Sequence, residues 1–280
     1  MKILVTGGAG FVGTNLLKQL KVYNYELFSI DNYCIGKKEN HLKGVTYINM
    51  NIIDISQLDI SFDIIFHLAA LSRIQPSFLD PELTYLYNTT GTLKVLEYAK
   101  KGNSKVIYSG SSSKHHNPSI SPYAMTKYLG EKLCSLYAKS FGLETQIVRF
   151  YNVYGPYEIL DGDWAAVIGK WRSQIQKNNC VTIVGDGEQR RDFTHIDDIV
   201  DGLIKISNSS KINKEWELGS GKNYSINEIF MLFKKKFGCK AIYIDDQNGN
   251  YRETLRENDE ALDKLGWEPK GSIEDYINSL

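Results

Sequence analysis

Tyr123 and Lys127 stand four residues apart in the stretch SPYAMTKYLGEKL, which reads as the start of a helix behind Ser-Pro. On an α-helix, residues i and i+4 share a face, so both side chains can enter one cleft. A phenol with a pKa of about 10 is a poor base near neutrality, but a neighbouring ammonium favours the phenolate. The run KVIYSGSSS places Ser111, Ser112 and Ser113 at the end of a strand-like segment just before the tyrosine. A hydroxyl there could hold a reacting oxygen in position for proton transfer. Spacing alone leaves two readings open, because Y-x-x-x-K arises by chance in many helices and serine-rich stretches are usually loops.

A second constellation lies at the start of the chain. VTGGAGFVG gives Gly7-x-x-Gly10-x-x-Gly13 directly after the run Ile3 to Val5. Glycines there allow a tight turn and close backbone approach to a pyrophosphate, and the following helix N-terminus favours negative charge. The next apolar run ends in Asp31. A carboxylate at the tip of a second strand can accept a hydrogen bond from a ribose 2′-hydroxyl and repels a 2′-phosphate, so the expected cofactor is NAD and not NADP. HLAA, residues 67 to 70, ends a fourth strand with small side chains where a cofactor must pass close to the backbone; Asn51 and Ile52 end the third, where the adenine should lie. His67 reads as a satisfied histidine at a strand end, and no metal is expected.

Elements of a particular kind must bring these groups together. KILVT, ELFSID, VTYINMN, DIIFHLAA, KVIYSGSS and TQIVRFYNVYG suit strands buried on both faces, and residues 10–20, 82–100 and 123–141 between them are long enough for crossover helices. This is the pattern of an α/β protein with a Rossmann-type doubly wound parallel sheet. Beyond Gly155 the rhythm changes, with helical patterns in DWAAVIGKWRSQIQK and INEIFMLFKKKF and short strands in CVTIVGDG and AIYID. We expect a dinucleotide-binding domain over 1–154 and a smaller C-terminal mixed α/β substrate lobe over 155–280, some of whose segments return to the main sheet. Lys+Arg and Asp+Glu both number 33, so no positive excess marks nucleic acid or an anionic membrane as a partner. Cys34, Cys134, Cys180 and Cys239 form no C-x-x-C, which suits reduced thiols in a cytoplasmic protein. No apolar run approaches the length of about 18 residues that a membrane span needs.

The blocks TGGAGFVG, HLAA, SFLDPELTYLYNTTGTLKVLEYA, SPYAMTK, RFYNVYGP, GDGEQRRDFTHIDDIVDGL, ELGSGKNYSINEI and ALDKLGWEP, in that order, resemble the extended short-chain dehydrogenase/reductases of the nucleotide-sugar epimerase/dehydratase group. The resemblance spans nearly the whole chain. It implies that Gly7, Gly10, Phe11, Val12, Gly13, Asp31, Asn32, Asn51, Ile52, Leu68, Ala69, Ala70, Asn88, Ser109, Tyr123 and Lys127 bind NAD. It makes Tyr123 and Lys127 the catalytic pair, with Ser111 as the active-site hydroxyl and Ser112 and Ser113 as its neighbours. Ser111, Ser112, Tyr123, Asn152, Val181, Arg191, Arg252 and Thr254 fall where relatives hold the substrate, with Asn152 and Arg191 at its diphosphate. A guanidinium suits that task, presenting paired donors and staying charged. Two departures stand out: Gln247 replaces the second phosphate-binding arginine of the usual R-x-G-D block, which Arg252 could compensate, and KHHNPSISP before Tyr123 is short and lacks V-Y-G. His115 and His116 are expected to be exposed.

The resemblance also bears on the reaction. The 4,6-dehydratases of this group carry Asp-Glu after the active-site threonine, because elimination needs an extra acid and base, and decarboxylating relatives carry a nearby Glu; here Ser111 is followed by Ser112, Ser113 and Lys114. The expectation is therefore C4 epimerisation of a nucleotide-diphosphate sugar, a UDP-sugar favoured, through a transient 4-keto intermediate. The small Thr254 suggests room for an N-acetylhexosamine. A 4-keto-sugar reductase and a non-catalytic NAD sensor are the alternatives, and the group implies a homodimer.

Overall fold

The computed structural model describes residues 1–280 and alternates strand and helix from the first residues onward. The N-terminal part runs β1 (Lys2–Thr6), α1 (Phe11–Leu20), β2 (Glu26–Asp31), β3 (Val45–Asn49), β4 (Ile64–His67), α2 (Ile74–Leu79), α3 (Pro81–Tyr85), α4 (Gly91–Gly102), β5 (Lys105–Ser111), α5 (Pro122–Phe141), β6 (Thr145–Phe150) and β7 (Val153–Tyr154). The remainder comprises α6 (Val167–Asn178), β8 (Cys180–Val184), β9 (Arg190–Asp192), β10 (Thr194–His195), α7 (Ile196–Asn208), β11 (Lys214–Leu218), β12 (Asn223–Ser225), α8 (Ile226–Phe237), β13 (Lys240–Ile244), α9 (Glu260–Leu265) and α10 (Ile273–Ser279).

Seven strands form one sheet in the order β11-β6-β5-β4-β1-β2-β3, with every pairing parallel. Alternate side chains of a strand feed opposite faces. Ile3 and Val5 accordingly join the core under α1 and α7, while Leu4 joins the one under α4 and α5. Burial on both faces explains the near-continuous apolar runs. The strand order reverses between β1 and β4, and open sheets of this kind take ligands at the carboxyl ends beside that point.

Three segments of the C-terminal half belong to this body. β11 extends the sheet beside β6, and Ile199, Leu203, Trp216 and Ala261 from α7, β11 and α9, with Trp267 just after α9, sit in the same core as Ile3. KEWEL was not legible as a strand because two glutamates interrupt it. Those glutamates, Glu215 and Glu217, both pair with the buried Arg149 of β6. The remaining small lobe has its own core, in which Trp171, Val181, Ile183 and Phe233 are fully buried. No helix is long and apolar enough to cross a membrane.

Candidate active site

Gly7, Gly10 and Gly13 make the turn from β1 into α1. A Cβ on Gly13 would lie 2.3 Å from the Gly7 oxygen and 2.6 Å from Gly8 Cα, so the helix can start this close to the turn only with glycine there. The turn walls an open cleft, also lined by Phe11, Val12, Asp31, Asn32, Ile52, Leu68, Ala69 and Ala70. Its largely apolar lining with a few convergent polar groups suits a dinucleotide. The Asp31 oxygens accept from the amides of Ala9 at 3.0 Å and Tyr33 at 2.8 Å, which leaves lone pairs for a further donor. Burial raises the pKa of this carboxyl and the two amides partly offset the rise. A carboxylate held by amides and not by a cation fits a ribose 2′-hydroxyl.

A buried chain of hydrogen bonds backs this wall. Thr6 Oγ1 accepts from the amides of Leu68 and Ala69 at 3.2 and 3.1 Å and lies 2.9 Å from His67 Nδ1. His67 Nε2 lies 3.0 Å from Thr92 Oγ1, whose hydroxyl donates to the Asn88 carbonyl at 2.6 Å. His67 is therefore a satisfied histidine, and burial pulls its pKa down to about 3. Asn88 and Asn51 differ from expectation. The Asn88 amide is engaged by Leu71 N, Leu71 O and Thr126, so it positions the loop after β4 and is not free to meet a cofactor. Asn51 caps the turn at Ile53 and donates to Tyr87 Oη, again a support; Ile52 beside it does line the cleft.

Tyr123 and Lys127 sit in the first turns of α5. Ser121 caps the helix through Ala124 N at 3.1 Å, and Ser77 Oγ accepts from the Tyr123 amide at 3.1 Å. Gly130 lets α5 lie on β5, since a Cβ there would sit 2.1 Å from Tyr108 Oη. Tyr123 Oη donates to Ser111 Oγ at 3.2 Å. Lys127 is buried; its Nζ donates to Ser109 Oγ at 3.4 Å and lies 4.6 Å from the Tyr108 ring centre. Burial lowers the Lys127 pKa to about 8. Burial raises that of Tyr123, against which the Ser111 hydrogen bond and the charge of Arg73 pull downward. Ser111 Oγ also accepts from Ser113 N at 3.2 Å, which fixes the start of the turn that carries Ser112.

The expected exposure of the two histidines is wrong. His115 Nε2 lies 2.9 Å from Glu217 Oε1 on β11, and His116 stacks on Tyr251 with ring centres 4.1 Å apart. Glu217 also accepts from Tyr151 Oη at 2.7 Å and Arg149 at 2.8 Å, and Arg149 is clamped further by Glu131 at 2.9 and 2.7 Å. Burial pushes the Glu217 pKa up, but the His115, Arg149 and Tyr151 hydrogen bonds outweigh it and hold the carboxyl low. The unrecognised edge strand thus tethers the serine turn from 102 positions away in sequence.

The expected substrate residues of the second lobe have these surroundings. The Val181 side chain is fully buried in the lobe core, so that only its backbone on β8 is left to meet a ligand. Arg252 is exposed and bound to Asp186 at 2.9 and 3.0 Å. Thr254 is buried, its hydroxyl accepting from Asn152 Nδ2 at 3.0 Å and from the Asp192 amide at 3.3 Å; it braces Asn152, and its size alone does not set the room for a sugar. Asp192, fully buried, accepts from the amides of Ser220, Gly221 and Arg256 and forms the junction of the lobes. Arg191 is half-buried, bonds only to the Arg190 carbonyl, and has its pKa lowered to about 10 by burial. Two residues that no motif marked line the same cleft as the glycine turn: Arg73 and Glu158.

Residues 3–219 match the model of the NAD dependent epimerase/dehydratase family. A putative UDP-glucose 4-epimerase of Methanocaldococcus jannaschii is 31% identical over 99% of this chain and 96% of its own length. The UDP-glucose 4-epimerase of Thermotoga maritima, solved with UDP-glucose, superposes with a TM-score of 0.92 at 30% identity, covering 99% of this chain and 96% of that one. UDP-glucuronic acid 4-epimerase from Bacillus cereus, solved with UDP-glucuronic acid and NAD, gives a TM-score of 0.90 at 29% identity, covering 99% and 96%.

Proposed function

The chain belongs to the NAD dependent epimerase/dehydratase family and NAD is its cofactor, and from that premise we propose that it inverts C4 of a nucleotide-diphosphate hexose, with a UDP-sugar favoured. The observation that carries this reading is the 3.2 Å contact of Tyr123 Oη with Ser111 Oγ, which the start of α5 and the carboxyl end of β5 bring together. Ser111 holds the sugar's 4-hydroxyl, and Tyr123 as phenolate takes its proton. NAD, when bound, supplies the chemistry of accepting a hydride and returning it. The 4-keto sugar turns over in the cleft, and Tyr123 gives its proton back to the new 4-oxygen. Lys127, held by Ser109 and the Tyr108 face, keeps an ammonium near the phenol and the cofactor's ribose. Arg191 suits the diphosphate, being desolvated without a carboxylate partner. Gly7, Gly10, Gly13, Asp31, Leu68, Ala69 and Ala70 hold the dinucleotide.

A UDP-glucuronic acid decarboxylase, 28% identical, is also a relative, so the products decide. Incubation with UDP-, GDP- and dTDP-sugars without added cofactor, followed by NMR, should show two sugar nucleotides interconverting. Net consumption of NAD(P)H would assign a reductase; a pentose or a dehydrated product would assign decarboxylation or elimination. We also read the protein as a cytoplasmic homodimer. Exposed Leu93 on α4 and Leu136 on α5, beside Tyr85 and Leu86, give a second copy an apolar face to cover, and light scattering checks it.

A further inference from the structure

His115 belongs to KHHNPSISP, the stretch in which this chain departs from the V-Y-G of its group. Ser111 ends β5 and caps the single turn Ser112–His115. Its Oγ accepts from Ser113 N at 3.2 Å, and the turn closes with His116 N donating to the Ser113 carbonyl at 3.1 Å. At the far end of that turn His115 Nε2 meets Glu217 Oε1 at 2.9 Å. Against burial, the hydrogen bonds of His115, Arg149 and Tyr151 hold Glu217 ionised, so it only accepts and His115 Nε2 carries the proton between them.

Glu217 is a fixed anchor. It is fully buried on β11 as the register partner of Arg149 on β6, and Arg149 is the register partner of Gly110 on β5, one residue before Ser111. The arginine crosses over that glycine, where a Cβ would lie 3.0 Å from Arg149 Cγ and 2.8 Å from Glu131 Oε1. Its Nε and Nη2 donate to Glu131 at 2.9 and 2.7 Å. Glu131 lies on α5, one helical step of four residues beyond Lys127 and two beyond Tyr123. One buried network, Glu131–Arg149–Glu217–His115, therefore joins the helix that carries Tyr123 to the turn that starts at Ser111. Buried charge networks are weak evidence for stability, because desolvation offsets the pairing; what this one holds is relative position. We propose that His115 is a positioning residue, which through Glu217 and Arg149 fixes the serine turn against α5 and so sets the 3.2 Å contact of Ser111 Oγ with Tyr123 Oη. This rests on the reading of Tyr123 and Ser111 as the pair that handles the sugar's 4-hydroxyl.

The test follows turnover of a UDP-sugar and bound NAD in the natural protein, His115→Leu, His115→Gln, Ser111→Ala and the double variant of His115→Leu with Ser111→Ala. His115→Leu should lower kcat about 10- to 100-fold, as for a displacement of about 1 Å at the reacting atoms, with KM unchanged to within about twofold and NAD still stoichiometric. His115→Gln, whose amide nitrogen donates to Glu217 from a similar place, should recover most of the loss. In the Ser111→Ala background the leucine should cost less than about twofold, because the hydroxyl it displaces is already gone. Phenolate absorbance reads the same coupling without turnover. The Ser111 hydrogen bond pulls the Tyr123 pKa down, so the titration of the protein minus that of its Tyr123→Phe form should move to higher pH in His115→Leu. Equal losses in both backgrounds would overturn the proposal by making His115 a general support of the fold, as would natural kcat in His115→Leu or a loss confined to KM. If no sugar is epimerised and the Tyr123 titration still moves, only the reaction reading fails; an unmoved titration overturns the positioning. Should His115→Leu not fold, His115→Asn, whose amide stops short of Glu217, takes its place with the same outcomes.

Discussion

The two walls of the cleft are built from different materials. The cofactor wall is backbone and small side chains, Gly7, Gly10 and Gly13 facing Ala69 and Ala70, with one carboxylate held by two amides. The other wall carries long side chains drawn from distant positions, Arg73 and Glu158, and the Oε2 of Glu158 is buried without a partner. A wall that reads a constant ligand can be fixed by main-chain geometry, and a wall that reads a variable one must be written in side chains. The contrast predicts that substitutions on the first wall remove NAD, while those on the second spare NAD and change turnover or sugar choice.

Tyr123→Phe gives the largest expected effect. Removing the proton carrier should lower kcat by about a thousandfold, within the range of general acid–base groups, while NAD released by denaturation stays stoichiometric. Activity near the natural level would sink the mechanism; loss of NAD would place the phenol on the cofactor wall and break the contrast. Gly13→Val tests the other side. Its side chain would strike the Gly7 oxygen and Gly8 backbone, which cannot yield as a flexible side chain does, so NAD affinity should drop about 100-fold. Retention of full NAD occupancy would show that the turn is less constrained than its packing indicates.

The same contrast explains what could be read from sequence. Six apolar runs and the glycine spacing are local patterns, so six of the seven sheet strands, the glycine turn and the Tyr123–Lys127 face were legible. β11 was not, because Glu217 is buried against an arginine on another strand and breaks the apolar signal. His115 was misread for the same reason. Asn51, Asn88 and Thr254 were placed on ligands by resemblance, yet their polar atoms are spent on neighbouring loops. Arg73 and Glu158 carried no motif at all; only the fold, which no local spacing encodes, brings them to one cleft.

Lys127 belongs to both walls, and its burial is a cost borne for function. Its pKa falls from 10.5 to about 8 on folding. The unfolded chain therefore binds a proton that the folded one sheds between about pH 8 and 10.5, so stability rises with pH across that window and the full penalty applies below it. Lys127→Met should lose activity yet stabilise the NAD-free protein at pH 7 by about 2–3 kcal/mol, seen as a higher urea midpoint at unchanged slope. A lower midpoint would mean that the Ser109 and Tyr108 contacts outweigh the desolvation.

His67 yields the smallest effect and tests whether the backbone wall needs a neutral side chain behind it. Thr6 Oγ1 accepts two amides, so its own proton goes to His67 Nδ1, and Nε2 must then donate toward Thr92, whose proton goes to Asn88. That network admits only neutral imidazole. With a folded pKa of about 3 against 6.5 unfolded, its contribution is complete above pH 6.5 and is lost as pH falls toward 3. At pH 5 the loss is about 2 kcal/mol. His67→Gln should flatten the pH 5 to pH 7 difference in unfolding free energy by that amount, while NAD affinity of the folded natural protein should hold between pH 7 and pH 5, because the imidazole stays neutral there and the Leu68 and Ala69 amides keep Thr6. An unchanged pH slope in the variant would mean that the imidazole already finds water and a second donor site, and that the wall stands without it.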